Sequence, residues 1–340
     1  MTTKKTDKTW KDALLKTSMP LEYLVAQQLH NLKCGIQGEY HYLRPNEEEI
    51  LTEFSVDIWS MSHLQKKDIP MWACLHLLVE CKYCYPGIKW LFAPHTKSDL
   101  ENILEIGVIS THDQLCTRQI YDKRPLWRLS NKFPKCYKGV ELHSKDATAQ
   151  NIERGRSQLI YAIPRLAIHL IESQMITFNN EDLDINFICP ILVTTADLYV
   201  LKDGLDLNDF KKAKTQDDIA IEVPALILTN PYSHLFTNYT DSLISEMHFK
   251  KPDIKERLIQ LKMLKNKLAG EEDNGLPPAL TFDWDIRESA KRILIINYNS
   301  LDFIYKLLRK TVVNAGKSLT QVGILKKDMS KRKTWVEETK

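Results

Sequence analysis

The feature that most constrains folding is residues 72–84, WACLHLLVECKYC, the most apolar strand-length run in the chain, which ends in Glu80-Cys81-Lys82. An apolar run without polar alternation reads as a strand covered on both faces of a sheet. A carboxylate and an ammonium at the end of such a strand are costly to bury unless they are paired or have a chemical task. In extended backbone Glu80 and Lys82 point to one face and Val79 and Cys81 to the other. Acid-x-Lys triplets occur at 80–82, 209–211, 253–255 and 338–340, but only the first closes an apolar strand.

The segments before it are compact. Ser18 and Pro20 suit a helix start, and Leu21, Leu24, Val25, Leu29 and Leu32 follow helical spacing up to Gly35. Strand patterns follow at 36–44 and 53–61. On the second, Asp57 is expected to share a face with Ser55 and Trp59, opposite Val56 and Ile58. If that strand pairs with 72–84, Asp57 and Glu80 converge. Two carboxylates and a backbone carbonyl, that of Cys81, are hard oxygen ligands suited to Mg²⁺, with Mn²⁺ able to substitute. The ion polarises a phosphate and acidifies a bound water. Lys82 is placed to orient that water or offset charge on phosphorus. The alternative is an ion pair, Asp57–Lys82 or Glu80–Lys82, which as pure scaffolding is a poor choice beside apolar residues.

Helix, strand, strand with Asp, strand with Glu-x-Lys resembles the PD-(D/E)xK nuclease superfamily. The likeness covers residues 19–84 and continues more loosely to about 230. It implies a restriction-endonuclease-like α/β fold: a mixed β-sheet core flanked by helices, with an insertion and a mostly helical C-terminal region. It also implies that Asp57 and Glu80 bind the metal and that Lys82 completes the site, with Glu22 matching the acid that family members add from the first helix. Val56 stands where the family's name has proline. Some branches carry a Gln and a Tyr on a later helix. Here Arg154, Gln158 and Tyr161 share one face of a helix expected over 146–163, ended or kinked at Pro164, so Gln158 joins the candidate catalytic set and Arg154 and Arg156 are candidate phosphate contacts. The activity implied is hydrolysis of phosphodiesters in DNA, by an endonuclease rather than an exonuclease. The resemblance further implies a role in restriction, phage defence or mobile-element biology, in which family members of this size without a helicase or methyltransferase segment often act.

The net charge of +3 conceals a strong separation. Residues 118–156 hold ten Lys/Arg against four acids, as do 301–340, so the rest of the chain is net negative. In the first block Tyr121, Arg124, Trp127, Arg128, Lys132, Phe133, Lys135 and Tyr137 interleave bases with rings, as nucleic-acid grooves do. Arg124, Arg128 and Lys132 are therefore candidate DNA contacts, with RNA as the other polymer such a surface suits. Strands are also expected at 186–200, 219–229 and 292–298, and helices at 97–106, 253–268 and 300–314. The organisation expected is an arm over 1–18, a nuclease core over 19–240 elaborated at 85–145, and a mostly helical region over 241–340 with a basic tail. Its helices offer a surface for a second copy or a partner protein.

Several classes are disfavoured. No apolar run reaches the roughly 18–20 residues that span a membrane, and the first residues lack a secretion pattern. Seven irregularly spaced cysteines suit reduced thiols and a cytoplasmic location. Cys81-x-x-Cys84 lacks a second pair for zinc, and there is no phosphate-binding glycine loop for nucleotide hydrolysis. The other reading is a nucleic-acid-binding subunit that uses a nuclease-like fold without its own activity.

Overall fold

The computed structural model describes residues 10–65 apart from 12, 16, 47 and 49, then 71–96, 108–111, 123–143, 146–177, 183–229, 233–250 and 286–316. The helices expected at 97–106 and 253–268 lie outside the described residues.

Apolar alternation organises everything else. Helix α1 (Met19–Asn31) leads into an antiparallel meander of β1 (Gly35–Pro45), β2 (Leu51–Gln65) and β3 (Met71–Lys82). The long helix α2 (Gln150–Thr177) then crosses to β4 (Leu183–Thr194), which pairs with β3 in parallel from Met71↔Leu183 to Lys82↔Thr194. Parallel neighbours need such a crossover, and helices on the faces keep the strands dry. Leu75, Leu77, Val79 and Cys81 of β3 and Phe187, Cys189, Ile191 and Val193 of β4 enter one core with α1. Leu78, Ile188 and Leu192 enter the other, against Leu159, Ile163 and Leu166 of α2. Glu80 has the parity of Leu78, so it lies on the α2 face.

Past β4 the sheet continues through β5 (Arg292–Asn297), parallel to β4, and β6 (Ala225–Thr229), antiparallel to β5. Next come β7 (Lys135–Leu142), β8 (Lys89–Pro94), β9 (Asp197–Leu201) and β10 (Ala220–Glu222). The strand β5 and the helix α3 (Leu301–Ala315) sit in the sheet and its core, on the far side of the boundary read at residue 240. Segment 85–145 supplies β8 and β7 and the short helix α4 (Lys123–Ser130), which packs on α3. Helix α5 (His234–Lys250) closes the α2 face with Phe236, Tyr239 and Leu243. The chain is therefore a mixed α/β protein with a large mixed sheet between helical layers.

Three expectations are corrected. The helix expected from 146 begins at Gln150, because Ala147 and Thr148 pair with Leu142 and Glu141 instead. It does not stop at Pro164 but runs on to Thr177. An interior proline costs about 3 kcal/mol in an exposed helix, whereas here Ile163, Leu166, Ala167 and Leu170 bury their side chains around it. The single strands expected at 186–200 and 219–229 are each two, interrupted at Thr195–Ala196 and at Val223–Pro224.

Candidate functional site

The site forms where β2 and β3 part. Their antiparallel ladder runs from Gln65↔Trp72 to Ile58↔Val79. One step further, where Asp57 would face Glu80, the Cys81 N–H donates to the Asp57 carboxylate Oδ2 at 2.7 Å. A bulge on the other side of β2 causes the fork. Gly38 pairs with Trp59 and Tyr40 with Val56, so Glu39 alone stands opposite Asp57 and Ile58. Bulges twist a strand and re-aim its side chains. The regular alternation expected around Asp57 is corrected by this: Val56 enters the α2-side core and Ile58 the α1-side core, and Asp57 is left in the opening between strands.

Glu80 is completely buried on the α2 face. Its Oε1 accepts from Lys82 Nζ at 2.5 Å, and among the described residues its Oε2 has no hydrogen-bond partner. Lys82 Nζ also donates to Gln158 Oε1 at 3.2 Å, and Gln158 Nε2 donates to the Ser55 carbonyl at 3.0 Å. Lysine only donates, so the Gln158 amide can be oriented only this way. One residue of α2 makes the close approach possible. A Cβ on Gly155 would lie 2.7 Å from Leu192 Cδ1, 3.3 Å from Lys82 Cε and 3.4 Å from Glu80 Cγ. Glu22 of α1 feels both Asp57 and Lys82, and so belongs to the same neighbourhood.

Electrostatics set the cost. Burial, then the Asp57 charge, pushes the Glu80 carboxyl up to about 8 against the pull of Lys82 and of the Asp57 main-chain N–H. Burial, then Asp57 and Glu39, pushes Glu22 up to about 7. Burial also raises Asp57, although the Cys81 N–H and Lys82 oppose it. Three carboxyls held above their ordinary range around one lysine favour any cation that can reach them. The unsatisfied Glu80 Oε2 fits a hard divalent ion better than it fits a closed ion pair. No grouping of three or more His, Cys, Asp or Glu side chains in metal-binding geometry occurs among the described residues. A magnesium site needs fewer protein side chains than that, because the ion keeps several waters.

The structure thus brings together Asp57, Glu80, Lys82, Gln158 and Glu22. The remaining candidates divide. Arg154 is exposed one helical turn before Gln158, whereas Arg156 pairs with Glu153. Tyr161 turns away from the acids and packs against Phe236 and Tyr239 of α5. Arg124, Arg128 and Lys132 are exposed at α4, whose apolar side joins the core opposite the Glu80 face. The six described cysteines, Cys81 and Cys84 among them, are buried free thiols. Sequence reasoning missed Glu39, Gly155, Tyr42 and Arg44. Only Gly155 left a signal, as a lone glycine inside a helical pattern, which marks close packing.

Compared with protein-family models, curated proteins and solved structures, the chain gives no match in any of the three. Among the described residues no helix is long and apolar enough to cross a membrane.

Proposed function

We propose that this chain is a divalent-metal-dependent nuclease that hydrolyses phosphodiester bonds, with DNA as its substrate. The observation that carries this reading is the fork between β2 and β3, where Asp57, Glu80, Lys82 and Gln158 converge and a buried carboxylate oxygen of Glu80 lacks a partner among the described residues. The order helix, strand, strand with Asp57 and strand with Glu80 and Lys82, on which the resemblance to the PD-(D/E)xK superfamily rests, supports it.

Asp57, Glu80 and the Cys81 carbonyl would hold Mg²⁺ or Mn²⁺. When bound, the ion supplies charge to polarise a phosphate oxygen and to acidify a water. Lys82 is held by Glu80 and Gln158, and its side chain is 16% exposed, so it can present a fixed positive charge to an incoming phosphate. Gln158 keeps that lysine from folding back entirely onto Glu80. Glu22 adds a further oxygen donor from the α1 side. Arg154, exposed one helical turn before Gln158, would suit a neighbouring phosphate.

The test is incubation of the purified full chain with linear duplex, circular duplex and single-stranded DNA and with RNA, in Mg²⁺, Mn²⁺ or chelator. Cutting should require the metal, and Asp57→Ala, Glu80→Ala and Lys82→Ala should each lower it by about 100-fold or more. Cutting that survives all three substitutions sinks the site. Tight metal-independent binding without cutting supports the nucleic-acid-binding subunit instead.

A further inference from the structure

Two side chains of β1 grip the turn of α2 that carries Gln158. The Tyr42 hydroxyl donates to the Gln158 main-chain carbonyl at 2.9 Å, and Arg44 Nη1 donates to Ser157 Oγ at 3.2 Å. The Arg44 guanidinium lies between two rings, its Cζ 4.0 Å from the centroid of Phe54 and 4.4 Å from that of Tyr161. Tyr42 in turn stacks on Phe54 at 6.2 Å. From α5 the Tyr239 hydroxyl lies within hydrogen-bond distance of the carbonyls of both Leu43 and Tyr161, 3.1 and 3.2 Å away.

Arg44 is an unusual choice if its purpose were only to cement β1 to α2. Among the described residues its buried Nε has no hydrogen-bond partner and no carboxylate pairs with it. Arg156, Arg165 and Arg287 share the unpartnered buried Nε, but each of them pairs with a carboxylate, on Glu153, Glu246 and Asp241. An apolar side chain of similar shape would fill the gap between the rings without that desolvation cost. A planar, forked guanidinium gives what an apolar group does not: a fixed plane against two rings and a directed bond to the residue beside Gln158. We propose that Arg44, together with Tyr42, is a positioning residue of the site, setting the α2 turn so that the Gln158 amide meets Lys82. The inference rests on the nuclease reading for its catalytic consequence but not for its geometry. Misplacing a reacting group by about 1 Å can cost on the order of 100-fold in rate. A brace two side chains away from the acids is therefore worth keeping even at a cost in stability.

The experiment measures steady-state cutting by Arg44→Met, Tyr42→Phe, Gln158→Ala and the two double variants that include Gln158→Ala. Arg44→Met and Tyr42→Phe should each lower kcat by about tenfold with KM for DNA unchanged, and should cost less than about twofold once Gln158 is alanine. Equal losses in both backgrounds, or losses confined to KM, overturn the proposal. The Gln158 side-chain amide resonance gives a readout independent of cutting. In the native chain it should be shifted and slow to exchange, as expected of an amide donating to Ser55, and it should lose that protection in Arg44→Met and Tyr42→Phe. An unperturbed amide in both variants overturns the brace whatever the activity. Tyr42→Phe removes a single hydroxyl and keeps the test alive if Arg44→Met fails to fold. A native chain that cuts nothing overturns the nuclease reading and leaves the amide readout standing.

Discussion

Glu80 shows how much this protein gives up at one position. Its carboxyl is buried and held up to about 8, and among the described residues Oε1 is bonded to Lys82 while Oε2 has no hydrogen-bond partner. A neutral isostere relieves that burden. Glu80→Gln should therefore abolish metal-dependent cutting while the thermal midpoint in chelator stays level or rises; a fall of more than about 2 °C would show that the carboxylate is structural. Gly155 makes the opposite case. A methyl there collides with Leu192, so Gly155→Ala should cost about 1–3 kcal/mol of stability by overpacking and should lower cutting more than it lowers the unfolding midpoint in urea. His76 gives the residue-scale pH prediction. Trp59 Nε1 donates to its Nδ1 at 3.4 Å and Nε2 bonds Asn186 Oδ1 at 2.9 Å, so the ring is neutral with its proton on Nε2. Burial, partly opposed by the Asn186 bond, pushes it down to about 4. Between the ordinary value of 6.5 and about 4 the unfolded chain binds the extra proton, so stability falls as pH drops through that window, by about 3 kcal/mol in all. Urea titrations at pH 7 and pH 4.5 should show that loss shrinking in His76→Gln.

At the scale of elements, α2 is the one that makes the site, and its start is held by a side chain from β7. Glu141, fully buried, accepts from the Asn151 N–H at 2.9 Å and from Asn151 Nδ2 at 2.8 Å. This capping carboxylate also sits at the positive end of the helix dipole. Glu141→Ala should destabilise the fold by about 1–3 kcal/mol, since it leaves two donors unsatisfied in the interior, and calorimetry checks it. The helix was legible in the sequence, but its length was not. Proline is a local veto, and only the packing of Ile163, Leu166 and Ala167 against the sheet overrides it. The bulge in β1–β2 was likewise invisible, because register depends on a partner strand and one-residue slips leave no local mark.

For the whole molecule, the sheet order decides what is separable. β5 lies between β4 and β6, and α3 covers it with Ile304, Leu308 and Val312. Removing residues from 286 onward should therefore destroy cooperative unfolding, as seen by circular dichroism, rather than release a dispensable module. A truncated chain that still unfolds cooperatively would support the boundary near 240.

The sequence by itself determined the meander of helix and three strands, the parity of Glu80 and Lys82, and the chemical identity of Asp57, Glu80 and Lys82 as an acid–acid–lysine set. Those are properties of local period and side-chain type, which need no partner to be read. Tertiary structure alone decided that Asp57 lies in a fork rather than on a regular strand, that Gln158 reaches Lys82 while Tyr161 turns away, and that Arg44 lies between two rings. Each of these depends on which distant segments pack together, from β1 at residue 44 to α2 at residue 157. Long-range packing is chosen by the global burial of apolar surface, which no single stretch of the chain encodes.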